Sequence, residues 1–219
     1  MSYTELVNIP SGAMSMEGML GLPDQPRGTV LFAHGSGSSR LSPRNNYVAS
    51  VLRTAGIGTL LLDLLTPDED QQAENRFDIA LLTRRLADAA AWLAQHPAAH
   101  GLPLGLFGAS TGAAAALQLA AQADVAAVVS RGGRPDLAGH AALPHVRAPT
   151  LLIVGGADTV VIGLNRKALA ELQCEKELSI IPGATHLFEE PGALDEVARQ
   201  ARDWFSRHLA SPRSAPTSA

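Results

Sequence analysis

Residues 104–122 read LGLFGASTGAAAALQLAAQ, and this stretch decides the fold. Four apolar or glycine residues, 104–107, run into Gly108-Ala109-Ser110-Thr111-Gly112, and an alanine-rich segment without proline follows. The pattern predicts a strand, a sharp turn and a helix. A side chain at the apex of such a turn is held in a strained backbone conformation, so its neighbours must be small. Gly108 and Gly112 meet that need and let the two arms of the turn pass close together. Ser110 is then lifted clear of the sheet, at the mouth of a helix whose first N–H groups are unpaired. It is the candidate nucleophile of a G-x-S-x-G elbow. The competing reading is an ordinary strand-to-helix turn whose serine caps the helix.

Outward from this stretch the chain alternates. Residues 3–9 and 16–22 read as a starting hairpin around Pro10-Ser11-Gly12. Apolar runs at 29–33 (TVLFA), 58–65 (GTLLLDLL), 125–130, 150–154 and 178–181 predict buried strands. Helices are expected over 46–55, 77–95, 164–172 and 194–209, with an acidic loop at 66–74. In the second of these, Ile79, Leu82, Leu86, Ala89 and Leu93 share a face, with Arg84, Arg85 and Asp88 largely off it. Strands alternating with helices predict an α/β fold, a mostly parallel sheet covered on both faces. One domain over 1–210 is expected, followed by a disordered Ser/Pro/Ala-rich tail at 211–219.

The composition agrees with one well-filled core: 219 residues, 46% of them hydrophobic. With 17% charged residues and a net charge of -4, nothing recommends nucleic acid or an anionic membrane as a partner. No secretory signal and no membrane-length apolar run is visible. The single cysteine, Cys174, reads as a small apolar filler. Together these features predict a cytoplasmic protein acting on a small molecule, and leave its oligomeric state open.

In a parallel sheet the functional edge lies where the strands' C-termini open into loops. There the run 150–154 ends in Gly155-Gly156-Ala157-Asp158, and 178–181 in Pro182-Gly183-Ala184-Thr185-His186. The order Ser110, Asp158, His186 assigns a nucleophile, an orienting acid and a general base. Asp63 and Asp136 are alternative acids, and His34, His140 and His145 alternative bases. No cofactor is called for, and no residue cluster has metal-ligand spacing. The loop GSGSSR, 35–40, could instead cradle a phosphate, but it lacks the Lys-Ser/Thr of a P-loop.

The motifs AHGSGSS, GASTG, VGGAD and PGATHLF, in that order, resemble the α/β-hydrolase superfamily near its dienelactone-hydrolase-like branch, and they span nearly all of residues 1–210. The longer strings HGSGSSRLSPRNNYVA, SRGGRPDL and HLFEEPGAL are similar to hydrolase modules that occur alone or fused to a phosphoribosyltransferase domain. The resemblance implies an eight-stranded sheet with one antiparallel strand at the start. It also implies an oxyanion hole built from the backbone N–H groups of Ser36 and Thr111. Dienelactone hydrolase proper carries cysteine where this chain has Ser110.

The expected activity is hydrolysis of a small carboxylic ester, lactone or thioester through an acyl-enzyme. Acyl transfer or amide cleavage on the same residues is the alternative within enzymes, and a binding module that has lost turnover the alternative outside them. The short loop 131–149 leaves no room for a large helical lid. Arg131 and Arg134 in it, with Arg40 and Arg44 beyond the oxyanion loop, are candidates for recognising an anionic group on the substrate.

Overall fold

In the computed structural model, which describes residues 3–209, two strands open the chain, Tyr3–Ser11 (β1) and Met14–Leu22 (β2). Gly12, at φ +61°, turns the chain between them, and they pair antiparallel with Ser11 opposite Met14. Buried and exposed positions alternate along much of both, as strands with one covered face require. The strands that follow are Thr29–Ala33 (β3), Gly58–Leu62 (β4), Leu104–Ala109 (β5), Ala127–Arg131 (β6), Thr150–Gly155 (β7) and Lys176–Ile181 (β8). In β3, β4, β6 and β7 every residue is buried, which is why these runs are largely apolar.

The eight strands form one sheet in the order β1-β2-β4-β3-β5-β6-β7-β8. From β4 to β8 along that order neighbours are parallel; β2 runs antiparallel to both β1 and β4. The sheet is therefore the expected eight-stranded one with a single reversed strand.

Side-chain alternation divides the core in two. On one face Val30, Phe32, Phe107 and Ile153 meet Val48 and Leu52 of helix Pro43–Thr54 (α1) and Val197, Trp204 and Phe205 of the final helix. Phe32 and Phe107 stack across adjacent strands, with ring centroids 4.8 Å apart. On the other face Leu31, Leu106, Val128 and Leu152 meet Leu82, Leu86 and Leu93, and Ala114 to Leu117. Each fully buried Leu or Phe contributes roughly 1.5–3 kcal/mol, so the sheet is held from both sides.

Helix boundaries differ from the periodicity in instructive ways. α1 starts at Pro43, because the Ser42 hydroxyl accepts from Asn45 N–H and proline suits the first helical turn. The acidic loop contains two short helices, Pro67–Asp70 (α2) and Ala73–Phe77 (α3); Thr66 and Glu69 form a reciprocal capping box on the first. Asp78 accepts from Leu81 N–H, so the long helix begins two residues later than expected, at Ile79–Gln95 (α4). Arg85 on α4 is buried rather than off the apolar face, because its guanidinium pairs with Glu69 at 2.7 Å. The remaining helices are Thr111–Ala120 (α5), Thr159–Glu171 (α6) and Ala193–His208 (α7).

Residues 131–149 hold only two single 3-10 turns, Pro135–Ala138 and Leu143–His145, and no lid. The tail expected at 211–219 lies outside the described residues. Among the described residues no helix is long and apolar enough to cross a membrane.

Candidate active site

Strand order reverses at β3: the chain leaves it toward β4 on one side and returns to β5 on the other. A crevice opens at such a switch point, beyond the carboxyl ends of the strands. The loop after β3 and the turn after β5 therefore become neighbours, with Ala33 opposite Gly108 in the ladder.

Ser110 stands at the apex of the turn between β5 and α5, at φ +50° and ψ −120°. Its N–H donates to Arg131 O at 3.2 Å, and its carbonyl accepts from Ala113 N–H at 3.1 Å and Arg134 N–H at 3.0 Å. The backbone is thus held by three bonds in a region that only glycine adopts freely. The side chain makes no capping bond to the helix, so the capping alternative does not describe it. Close packing depends on the flanking glycines: a Cβ on Gly108 would collide with the Ala113 backbone, and one on Gly112 with the carbonyls of Ala33 and His34. Gly35 leaves space for the Ser110 Cβ in the same way.

Asp158 and His186 come together from β7 and β8. Gly156 N–H donates to Ile181 O at 2.7 Å and Ala157 N–H to Ala184 O at 2.9 Å, stitching the two strand ends into one corner. A Cβ on Gly155 would strike the Ala184 and Thr185 carbonyls, so the close approach requires glycine there. In this corner His186 Nδ1 lies 2.7 Å from Asp158 Oδ2. That contact puts the ring proton on Nδ1 and leaves Nε2 as the acceptor. The His186 side chain is 40% exposed and that of Asp158 16%, so the site is open to solvent while the acid is sheltered.

Four of the five alternatives are engaged elsewhere. Asp63 takes the Arg40 backbone N–H and guanidinium, and Asp136 pairs with Arg134 at 2.7 Å. His140 sits on Glu171 at 2.9 Å. His34 is buried and neutral: Nδ1–H donates to Gly35 O at 2.9 Å and Nε2 accepts from Leu64 N–H at 3.0 Å, which ties the loop after β3 to the end of β4 and takes Leu64 out of the strand. Burial holds its pKa below the ordinary imidazole value.

Ser36 and Thr111 are brought together as expected, but the Ser36 N–H donates to Thr111 Oγ1 at 2.9 Å instead of standing free. With Ser38 N–H bonded to Gly35 O at 3.2 Å, this loop is a turn closed on itself and not an open phosphate cradle. Of the arginines expected to read a substrate anion, Arg40 is paired with Asp63 and Glu17 and Arg134 with Asp136, while among the described residues no carboxylate pairs with Arg131. Asn45 and Phe188, which border Arg131, carry no signal in the sequence that marks them for the site.

Comparison with known proteins shows the family and the fold. Residues 47–210 match the sequence profile of the dienelactone hydrolase family. A putative phosphoribosyl transferase of Mycobacterium tuberculosis is 57% identical over 210 residues, covering 95% of this chain and 47% of that protein. The chain thus spans about half the length of that M. tuberculosis relative. The crystal structure of a dienelactone hydrolase from Anabaena variabilis superposes with a TM-score of 0.92 at 55% identity, over 95% of this chain and 99% of that one. Est1E from Butyrivibrio proteoclasticus shares the fold at a TM-score of 0.80 and 13% identity, over 94% and 99% of the two chains.

Proposed function

Because this chain belongs to the dienelactone hydrolase family of α/β hydrolases, we propose that it is a serine hydrolase that cleaves a small carboxylic ester, lactone or thioester through an acyl-enzyme on Ser110. The observation that carries this reading is the pairing of an uncapped, strained Ser110 with the His186–Asp158 hydrogen bond at the same sheet edge.

In the first step His186 Nε2 takes the Ser110 proton as Oγ attacks the substrate carbonyl carbon. Asp158 stabilises the imidazolium that forms, without itself becoming protonated. The developing oxyanion is met by the Thr111 N–H at the mouth of α5 and by the Ser36 N–H, which gives up the Thr111 hydroxyl for the substrate oxygen. Each such donor is worth roughly 3 kcal/mol in the transition state. His186 then passes its proton to the departing alcohol or thiol. A water enters, loses its proton to the same nitrogen, and releases the acid from Ser110.

Two structural features narrow the substrate class. The absence of a lid over residues 131–149 and the partial exposure of His186 favour a small or exposed ester over a buried lipid chain. The residues in the assigned roles need no cofactor for this chemistry. The transferase activity in the M. tuberculosis relative's name is not carried over, since this chain matches 47% of that protein.

The deciding experiment is intact-mass labelling with a fluorophosphonate. One adduct mapped to Ser110, lost in Ser110→Ala and greatly slowed in His186→Ala, is the expected result. A folded wild-type protein that stays unlabelled overturns the reading and leaves a binding module on a hydrolase scaffold.

A further inference from the structure

Residues 132–134 pass between Ser110 and His186: a Cβ on Gly132 would lie 3.5 Å from His186 Cε1, and Arg134 N–H donates to Ser110 O at 3.0 Å. The peptide that joins Gly133 to Arg134 is engaged at both ends. Its N–H is the one on Ser110, and its carbonyl accepts from Asn165 Nδ2 at 3.0 Å. The same amide nitrogen also donates to Val161 O at 2.9 Å, one turn back in α6, which fixes the Asn165 rotamer. One peptide plane thus connects α6 to the backbone of the candidate nucleophile.

The segment cannot fix that plane with side chains of its own. A Cβ on Gly133 would lie 2.0 Å from Ser130 Oγ and 2.7 Å from Ala113 Cβ, so only glycine fits against β6 and α5 there. Two glycines in a row also leave the backbone free to rotate unless something outside the segment holds it. Asn165 is costly for any other purpose. It is wholly buried in the middle of α6, and its Oδ1 has no partner among the described residues. Asparagine is a poor helix former, and a buried oxygen without a donor is destabilising, whereas leucine, of similar shape, carries neither penalty. What asparagine adds is the donor to Gly133 O. The same helix has Asp158 as its N-cap, so α6 carries the candidate acid at its start and this donor about two turns later.

We propose that Asn165 is a positioning residue for Ser110: it holds the 133–134 peptide in the orientation that keeps the Arg134 N–H on the Ser110 carbonyl, and so sets the nucleophile turn in register with Asp158 and His186. The role rests on the hydrolase reading. Ser110 Oγ must face a carbonyl carbon while His186 Nε2 meets its proton, and a misplacement of about 1 Å costs up to about a hundredfold in rate. Without the Asn165 donor the Gly133 carbonyl is left unpaired, and the peptide rotates to satisfy it. The N–H on its far side then leaves Ser110 O, which keeps only the Ala113 N–H.

The test compares wild type with Asn165→Leu, which keeps the size of the side chain and removes the donor, well below the Tm of each. For 4-nitrophenyl butyrate kcat is expected to fall about tenfold or more, with KM within about threefold and the acid limb of the pH profile, set by His186, unmoved. Fluorophosphonate labelling of Ser110 slows likewise. A residue that served packing alone would lower the rate only in proportion to the protein unfolded. An unchanged kcat and labelling rate in folded Asn165→Leu overturns the proposal; if that variant does not fold, Asn165→Ala decides.

Amide hydrogen exchange separates this proposal from the hydrolase reading, since it needs no turnover. In Asn165→Leu the Arg134 amide is expected to exchange about tenfold or more faster than in wild type, while the Gly132 amide, which donates to Ile153 O at 2.8 Å, keeps its rate. If Arg134 does not exchange faster relative to Gly132, Asn165 does not hold the peptide and the proposal is refuted even in an active enzyme. If the wild type neither turns over esters nor takes the label, the hydrolase reading fails by itself, and Arg134 exchange alone decides whether Asn165 fixes the Ser110 turn.

Discussion

Replacing Ser110 by glycine should abolish turnover and at the same time make the protein more stable. Ser110 sits at φ +50° and ψ −120°, a conformation that charges a side-chain-bearing residue roughly 1–3 kcal/mol and glycine almost nothing. Against this, glycine loses about 0.5–1 kcal/mol through the greater freedom of the unfolded chain. The hydroxyl makes no capping bond to the helix, so its removal forfeits no such stabilisation. The balance is a gain of about 1 kcal/mol, or about 2–4 °C in Tm for a domain of this size. Ser110→Ala is the control, since it removes the hydroxyl but keeps the Cβ and therefore the strain. It should match the wild type within about 0.5 kcal/mol. Thermal and urea unfolding of the three proteins, with fluorophosphonate labelling to verify inactivity, measure the difference. If Ser110→Gly is no more stable than Ser110→Ala, the turn stores no strain and the argument for a backbone-held nucleophile fails.

Other perturbations test the surrounding parts. Asp158→Asn keeps the shape of the 2.7 Å contact but favours the wrong ring tautomer, so kcat should fall on the order of 10⁴-fold with little change in Tm; a loss under tenfold would remove Asp158 from its role. His34 is held neutral by burial, with its folded pKa below 6.5, so its stabilisation is complete above about pH 6.5 and declines as pH falls through the lowered value. His34→Gln, which can still accept the Leu64 N–H but cannot titrate, should flatten the acid side of the stability–pH curve, and an unchanged slope in urea titrations would exclude His34 as its source. Gly112→Ala drives a methyl into the Ala33 and His34 carbonyls and should cost about 3 kcal/mol or more. Gly163→Ala, in open space on α6, should gain about 0.5–1 kcal/mol, and chemical denaturation of the pair reads both signs.

Helix starts were the least legible feature. Periodicity detects the buried face of a helix, yet its first residue is set by local capping at Ser42, Thr66 and Asp78. The burial of Arg85 also escaped the pattern, because a charged residue reads as solvent-facing until its partner, Glu69, is known to lie across the chain from it.

What the sequence by itself determined was the order of the strands and which residues the proposed chemistry rests on. Continuous apolar runs force two-sided strands, glycines at 108 and 112 force a tight elbow, and Asp158 and His186 each follow a strand end. These are local constraints, written within a few residues of where they act. Only the tertiary structure decided which charges are spent and which remain. Arg40 meets Asp63 and Glu17, Ser36 N–H meets the Thr111 hydroxyl at the start of α5, and among the described residues no carboxylate pairs with the buried Arg131. The reason is physical: hydrogen bonds and ion pairs between distant segments depend on separations of a few ångströms, which spacing along the chain does not encode.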